Sequence, residues 1–351
     1  MTSLSSSFPS PVGPSQRPTM RHVAALAGVG VKTVSRVING EPNVSQATIA
    51  RVQAAAASLH YQPDLHAGNL RRNDRRTHTL ALLVGSVANP FSGALHRAVE
   101  DAAAQRGMAV FASSLDDDPA RERGLVSAFL SRRVDGLILT TVSKSQGYLL
   151  PEQERGTPLV FVDREPVGIE ADAIVSDNAS GAASATRHLI EHGHRRIAYL
   201  GDRLDIQTAR ERHRGFLEEL GRAGISTSSL PVIDNLHDEN SARDAVNRLL
   251  DSDNPPTAIF SSQNLVTIGA VRALRDHDAH RRVALVGFDD VPLADLLEPG
   301  ITVVAQDPQR IGELAAERMF ARLDGDTSAD RRYVVPTTLI VRGSGEIRPR
   351  G

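Results

Sequence analysis

The 351-residue chain has no cysteine, no tryptophan and only 4% aromatic residues. Without a thiol it can form neither a disulfide nor a thiolate metal site, a composition that suits a reducing, cytoplasmic setting. With rings this scarce, aliphatic side chains must fill the interior. There is no heptad series, no internal repeat and no long apolar stretch. The opening MTSLSSSFPSPVGPSQRP lacks a basic start followed by an apolar core and a cleavage signature, so it does not read as a secretory signal. Its Ser/Pro bias predicts a disordered tail over residues 1–18. G-x-S-x-G, Walker, H-E-x-x-H and dinucleotide-binding glycine patterns are missing too, so an enzyme has no foothold and no cofactor is expected.

A net charge of −2 looks wrong for a nucleic-acid binder until it is divided by region. Residues 19–76 carry eight basic groups (Arg21, Lys32, Arg36, Arg51, Arg71, Arg72, Arg75, Arg76) against three acidic ones (Glu41, Asp64, Asp74), a balance of +5. Arg17 adds one more, which leaves −8 for the remainder. Phosphate-seeking charge is therefore concentrated near the N-terminus, and the acidic remainder discourages nonspecific adhesion.

That basic region contains TMRHVAALAGVGVKTVSRVINGEPNVSQATIARVQAAAASLHYQP, two short apolar-periodic segments around a glycine turn, then a longer third. This is helix-turn-helix punctuation. Thr19 is the expected N-cap of the first helix, with Val23, Ala24 and Ala27 on one face and Gly28 at the turn. The second is expected from Val31 to Ile38, ending at Asn39-Gly40. Ser45 should cap the third, which runs through Ile49, Val52, Ala56 and Leu59. The stretch Val23 to Pro63 closely resembles the headpiece of the LacI/GalR family of bacterial transcription regulators. One departure is Gly30, which stands where that family usually has a serine cap.

The resemblance implies that the second helix lies in the major groove. Val31, Lys32 and Arg36 would then meet base edges, Lys32 and Arg36 donating to guanine and Val31 touching a thymine methyl. Thr33, Ser35 and Asn39 suit phosphate contacts, which position without specifying. Taken singly, Lys32 and Arg36 could as well solvate an exposed helix face. Residues 64–77 resemble the family's hinge helix, too short to be stable alone and expected to order when two subunits pair on DNA. Leu70 occupies the place of an apolar wedge into the minor groove.

From Thr79 onward, apolar runs alternate with helical patterns: LALLVG, MAVFASS, DGLILTT, PLVFVDR, AIVSDN, RIAYLGD, TAIFSS, VALVGFDD and ITVVAQD. Such alternation predicts α/β architecture, parallel sheets with helices on both faces and ligands beyond the carboxyl ends of the strands. Residues following the runs include Asn89-Pro90-Phe91, Asp163-Arg164, Asp289-Asp290 and Gln306-Asp307, and Arg210 and Arg212 are expected just before a helix starting near Gly215. Carboxylates, a guanidinium and amides suit a polyhydroxylated ligand. This part resembles the two-lobed periplasmic sugar-binding fold carried by the same family, here residues 78–345 with crossovers expected near 164, 291 and 325. The resemblance implies an effector site of Asn89, Phe91, Asp163, Arg164, Arg212, His237, Gln263, Asp289 and Gln306. Arg210 is second choice to Arg212, and the DR pair favours a pentose or a polyol such as inositol. Gln263-Asn264 stand where relatives have Asn-Asp, and His237 where an aromatic often stacks. Asp163 and Asp289 could instead be helix caps, and Phe91 a core residue.

His188, His192 and His194 invite a zinc reading, but the pattern suits a helix end with Gly193 as C-cap and His194 as a last-turn base. Two classes remain open: an effector-controlled repressor, and a sugar receptor or hydrolase built on the same body. A receptor would need an export signal and would have no use for Val31 to Arg36. The resemblance implies a cytoplasmic, nucleoid-associated homodimer on a pseudopalindromic operator. No leucine heptads follow TTLIVRGSGEIRPRG, so a tetramerising tail is not expected. Leu70→Ala is expected to weaken binding to the specific operator far more than binding to random duplex in parallel titrations. An equal loss on both defeats the wedge.

Overall fold

The computed structural model describes residues 17–62, 76–228 and 230–349. The chain forms two compact units divided between Thr77 and His78. Residues 1–16 of the expected tail, Pro63 at the end of the expected headpiece and 64–75 of the expected hinge, with Leu70, lie outside the described residues.

Among the described residues, the first unit holds three helices, α1 (Met20–Ala27), α2 (Val31–Ile38) and α3 (Gln46–Ser58). Val23 and Ala27 recur at helical spacing and are buried with Val34 and Val52, three of whose side chains are at most 1% exposed. Burying each valine contributes about 1.5–3 kcal/mol. Gly28 ends α1 at φ 60°, the left-handed conformation that only a residue without Cβ adopts freely. Gly30 caps α2 without a side-chain acceptor, whereas Ser45 Oγ takes the Thr48 N–H at 3.3 Å to start α3.

The second unit holds two six-stranded sheets. The first joins β1 (Thr79–Val84), β2 (Ala109–Ser114), β3 (Gly136–Leu139), β4 (Leu159–Val162), β5 (Asp172–Ser176) and β11 (Arg332–Val335) in the all-parallel order 11-5-4-3-1-2. The second joins β6 (Ile197–Leu200), β7 (Val232–Ile233), β8 (Ala258–Ser261), β9 (Ala284–Phe288), β10 (Thr302–Ala305) and β12 (Thr338–Ile340) in the order 12-10-9-8-6-7, with only β12 antiparallel. The helices are α4 (Pro90–Gln105), α5 (Pro119–Ser131), α6 (Leu150–Glu154), α7 (Asn178–Glu191), α8 (Gln207–Arg222), α9 (Glu239–Leu250), α10 (Asn264–Asp276) and α11 (Pro308–Leu323). Strand β1 shows why the runs are continuously apolar. Leu80, Leu82 and Val84 pack with Leu95 of α4 and Ile311 of α11, while Ala81 and Leu83 face Val126 and Phe129 of α5. Both faces are covered, so neither needs polar residues.

The crossovers correct the expectation of passages near 164, 291 and 325. After Asp163 the chain stays in the first sheet, where β5 pairs with β4, and after Asp290 it stays in the second, where β10 pairs with β9. It passes between sheets after β5 at Asp177, after β10 at Gln306–Asp307, and between Val335 and Thr338. Polar residues follow strands that stay, as Asp163 and Asp289 do, and strands that leave, as Asp177 and Gln306 do, so they do not distinguish the two. Three strands were not anticipated: β7 has two residues, and β11 and β12 are short edge strands with exposed positions.

Two local expectations also change. Helix α8 starts at Gln207, so Arg210 and Arg212 lie within it and Gly215 is internal. A Cβ on Gly215 would meet the Ala179 carbonyl oxygen at 2.1 Å, so this glycine lets α7 and α8 cross closely. Helix α7 is capped by His192, with Gly193 next in the left-handed region at φ 95°. His194 is not a last-turn base. It is fully buried, with Nδ1 at 3.0 Å from Thr257 Oγ1 and Nε2 at 2.6 Å from the Ile347 carbonyl, and burial lowers its pKa. His188 contacts Glu346, and His192 Nδ1 bonds the His188 carbonyl, so these rings pin the C-terminal segment and helix end. Among the described residues, no helix is long and apolar enough to cross a membrane. Gly215→Ala is expected to cost about 1–3 kcal/mol through forced separation of α7 and α8. The check is a lower denaturation midpoint at unchanged slope.

Candidate functional site

Helix α2 presents one face outward. Val34 points into the core, while Val31, Lys32, Arg36 and Asn39 are exposed and Thr33 and Ser35 are partly so. Arg36 has a loose pair with Glu41 at 3.8 Å, with both side chains about half exposed, and Asn39 Nδ2 donates to Ser35 Oγ at 3.3 Å. An exposed pair of this kind contributes little, so Arg36 is available to a stronger anion. Thr19 is exposed at the head of α1, its backbone N–H donating to His22 Nδ1 at 3.2 Å.

In the second unit a cavity of about 400 Å³ lies beyond the strand ends of both sheets. All nine side chains singled out for a ligand line it: Asn89, Phe91, Asp163, Arg164, Arg212, His237, Gln263, Asp289 and Gln306. Arg210 does not; it is exposed and donates to the Leu204 carbonyl.

From the first lobe, Asn89 caps α4 by accepting the Phe91 N–H at 3.0 Å, with Pro90 at the first helical position. Phe91 is half-buried and packs against the core of the first sheet while lining the cavity, so it serves both readings. Asp163 is no helix cap. It follows β4 at φ 68°, and burial raises its carboxyl pKa against the opposing pull of Arg164 and Arg212. Arg164 donates through Nη1 to Asp117 Oδ1 and to the Thr141 carbonyl, both at 3.0 Å.

From the second lobe, Arg212 on α8 is 5% exposed and held by three polar groups. Its Nε donates to Asn178 Oδ1 and its Nη1 to the Ser262 carbonyl, both at 2.8 Å, with Asp289 Oδ2 at 3.6 Å. Its guanidinium also lies 3.9 Å from the centroid of the Phe288 ring. Asp289 likewise is not a cap; it sits at φ 69° after β9 and accepts from Gln306 Nε2 at 2.6 Å. Gln263 caps α10 by accepting the Leu265 N–H at 3.2 Å.

The lobes touch across the opening. Asn264 Nδ2 donates to Asn89 Oδ1 at 2.9 Å, and His237 lies between Asp202 of its own lobe at 3.2 Å and Asp117 of the other at 3.7 Å. Asp117 and Asp202 were missed by sequence reasoning. Each follows an apolar run, in ASSLDDD and YLGD, so the rule that selected Asp163 would have found them.

A profile described as "Bacterial regulatory proteins, lacI family" matches residues 19–64, and one described as "Periplasmic binding protein-like domain" matches residues 186–345. The ribose operon repressor of Escherichia coli K12 is 32% identical over 329 residues, 93% of this chain and 99% of that protein. The chain belongs to the LacI family. A second relative, the HTH-type transcriptional regulator PtxS of Pseudomonas aeruginosa PAO1, is 34% identical over 340 residues, 95% of this chain and 97% of that protein. The crystal structure of the lac repressor dimer bound to operator and the anti-inducer ONPF superposes with a TM-score of 0.82 at 25% identity, covering 94% of this chain and 99% of that one. These LacI-family relatives are transcription regulators, not enzymes, and this chain is accordingly a DNA-binding transcription regulator.

His237 gives the cleft of this LacI-family protein a pH dependence. Its hydrogen bond to Asp202 raises its pKa, Asp117 adds to the effect, and burial and Arg203 oppose it. A pKa raised on folding adds stability that is fully present below the unfolded value of 6.5 and lost as pH rises through the folded value. Because the side chain is 54% exposed, a few tenths of a kcal/mol, at ~0.2–1, is the expected scale. His237→Gln should melt below the wild type at about pH 6 and together with it at about pH 9. A gap independent of pH would assign the loss to packing.

Proposed function

We propose that the protein is an effector-controlled repressor that binds a pseudopalindromic operator as a cytoplasmic homodimer. A small sugar or polyol, a pentose or an inositol-like ring being favoured by Asp163 and Arg164, occupies the cleft. The observation that carries this reading is the convergence of nine polar and aromatic side chains from two lobes on one cavity, in a chain whose N-terminal unit exposes Val31, Lys32 and Arg36 on one helix. Ring hydroxyls pair with the carboxylates, the guanidinium groups and the amides, while Phe91 covers a C–H face. In the headpiece, Val31, Lys32 and Arg36 read base edges, Thr19, Thr33, Ser35 and Asn39 hold phosphates, and Leu70 wedges the minor groove. The family, the relatives named for an operon repressor and a regulator, and the neighbour solved as a dimer on operator all support these roles.

A ligand held by both lobes changes the angle between them, and so the readiness of two hinge segments to order together on DNA. Such coupling amounts to about 1–3 kcal/mol, or ~5–150-fold in operator affinity. The test selects genomic fragments with purified protein, finds a ligand by thermal shift against sugars and polyols, and measures operator affinity with and without it. Asp289→Asn keeps the side-chain volume and should require at least about tenfold more ligand for the response while retaining operator affinity. A response at unchanged ligand concentration removes Asp289 from the site, and no preference for any genomic fragment over random duplex removes the repressor.

A further inference from the structure

We infer that the cleft is an anion-rejecting site, built for neutral or cationic polyhydroxylated ligands and closed to sugar phosphates, aldonates and uronates. The inference rests on the cleft being the effector site and specifies its ligand class. Six aspartates line the cavity (Asp116, Asp117, Asp163, Asp202, Asp238 and Asp289) against Arg164, Arg212 and His237, with Asp116 also paired to Arg121 at 3.1 Å and burial raising the pKa of Asp163. No lysine is among the lining residues.

Each cation present already has protein partners, although Arg164 Nε is buried without a hydrogen-bond partner. Arg164 holds Asp117 and the Thr141 carbonyl at 3.0 Å, Arg212 holds Asn178 and the Ser262 carbonyl at 2.8 Å, and His237 lies between Asp202 and Asp117. A phosphate drawn to Arg164 or Arg212 would lie close to Asp117, Asp163 and Asp289, which stand 3.0, 3.7 and 3.6 Å from those guanidinium groups. Backbone donors at helix starts are the usual alternative for an anion. Three of those at the cleft are closed by their own caps: Asn89 takes the Phe91 N–H, Asp238 those of Asn240 and Ser241, and Gln263 that of Leu265. Only α8, entered from Ile206 without a side-chain cap, opens its first turn to the cavity. Its half charge is small against the surplus of carboxylates. For a neutral ligand the same arrangement is favourable, because each carboxylate accepts from hydroxyls and an ammonium group is attracted outright.

The experiment titrates full-length protein at moderate salt with glucose, glucosamine and glucuronate, with ribose and ribose 5-phosphate, and with myo-inositol and its 1-phosphate, reading melting temperature and heat of binding. At least one neutral compound should bind, its anionic counterpart at least about tenfold more weakly, and an amino counterpart no more weakly than its parent. The double variant Asp117→Asn, Asp202→Asn should narrow the gap between neutral and anionic members by about tenfold, because it removes charge at nearly constant shape. An anion that binds as well as its parent overturns the inference while leaving the effector cleft standing. So does a gap that the double variant leaves unchanged, which would make the rejection steric. Silence across the whole panel defeats the effector-cleft reading itself, and the inference with it.

Discussion

A guanidinium that is 95% hidden from water has to be matched, and Arg212 finds its partners in four different places. Asn178 opens α7 just after the chain leaves the first sheet, Ser262 follows β8, Asp289 follows β9, and the Phe288 ring lies under the charge. Stripping a buried ion of any one partner is costly, so this group ties the strand ends and the first crossover into a single floor. Asp289 passes the constraint on to Gln306, which also receives the Ser176 hydroxyl at 2.5 Å and so reaches the end of β5 in the other sheet. The cavity is therefore bounded by groups whose positions depend on one another.

That dependence is what a regulatory site needs. The lobes meet across the opening through Asn264 with Asn89 and through His237 with Asp117, polar contacts between residues that line the cavity. The interior of each lobe is a different material: both faces of β1 are packed by aliphatic side chains at no measurable exposure for Leu80, Leu82 and Leu83. Close-packed lobes joined by a polar seam move as bodies rather than deform. The buried His188 and His194 add to this rigidity by holding the C-terminal segment through Glu346 and Ile347.

How far the sequence could be read depended on the distance between interacting residues. In the headpiece the contacts that start and stop the helices lie within a few positions, such as Ser45 with Thr48 or Gly28 with α1, and the boundaries of α1, α2 and α3 follow directly. Strands covered on both faces were equally plain as apolar runs. The short edge strands β7, β11 and β12 were not, because an edge strand is partly wet and carries no such run. Gly215 read as punctuation before a helix and proved to be a packing residue inside one, since only the approach of Ala179 distinguishes the two.

From its own residues the chain determined a local helical headpiece, an α/β body and the polar residues at its strand ends, since each follows from periodicity and from neighbours in sequence. Which strand ends share a wall was decided by the three passages between the sheets, and those depend on pairings such as β11 with β5, which join residues about 160 positions apart. Asp163 and Asp289 could have been helix caps on sequence alone; their left-handed backbone and the groups around them make them cavity walls. Asp117 came to face His237 for the same reason, because only the closing of one lobe toward the other sets a carboxylate of the first beside an imidazole of the second.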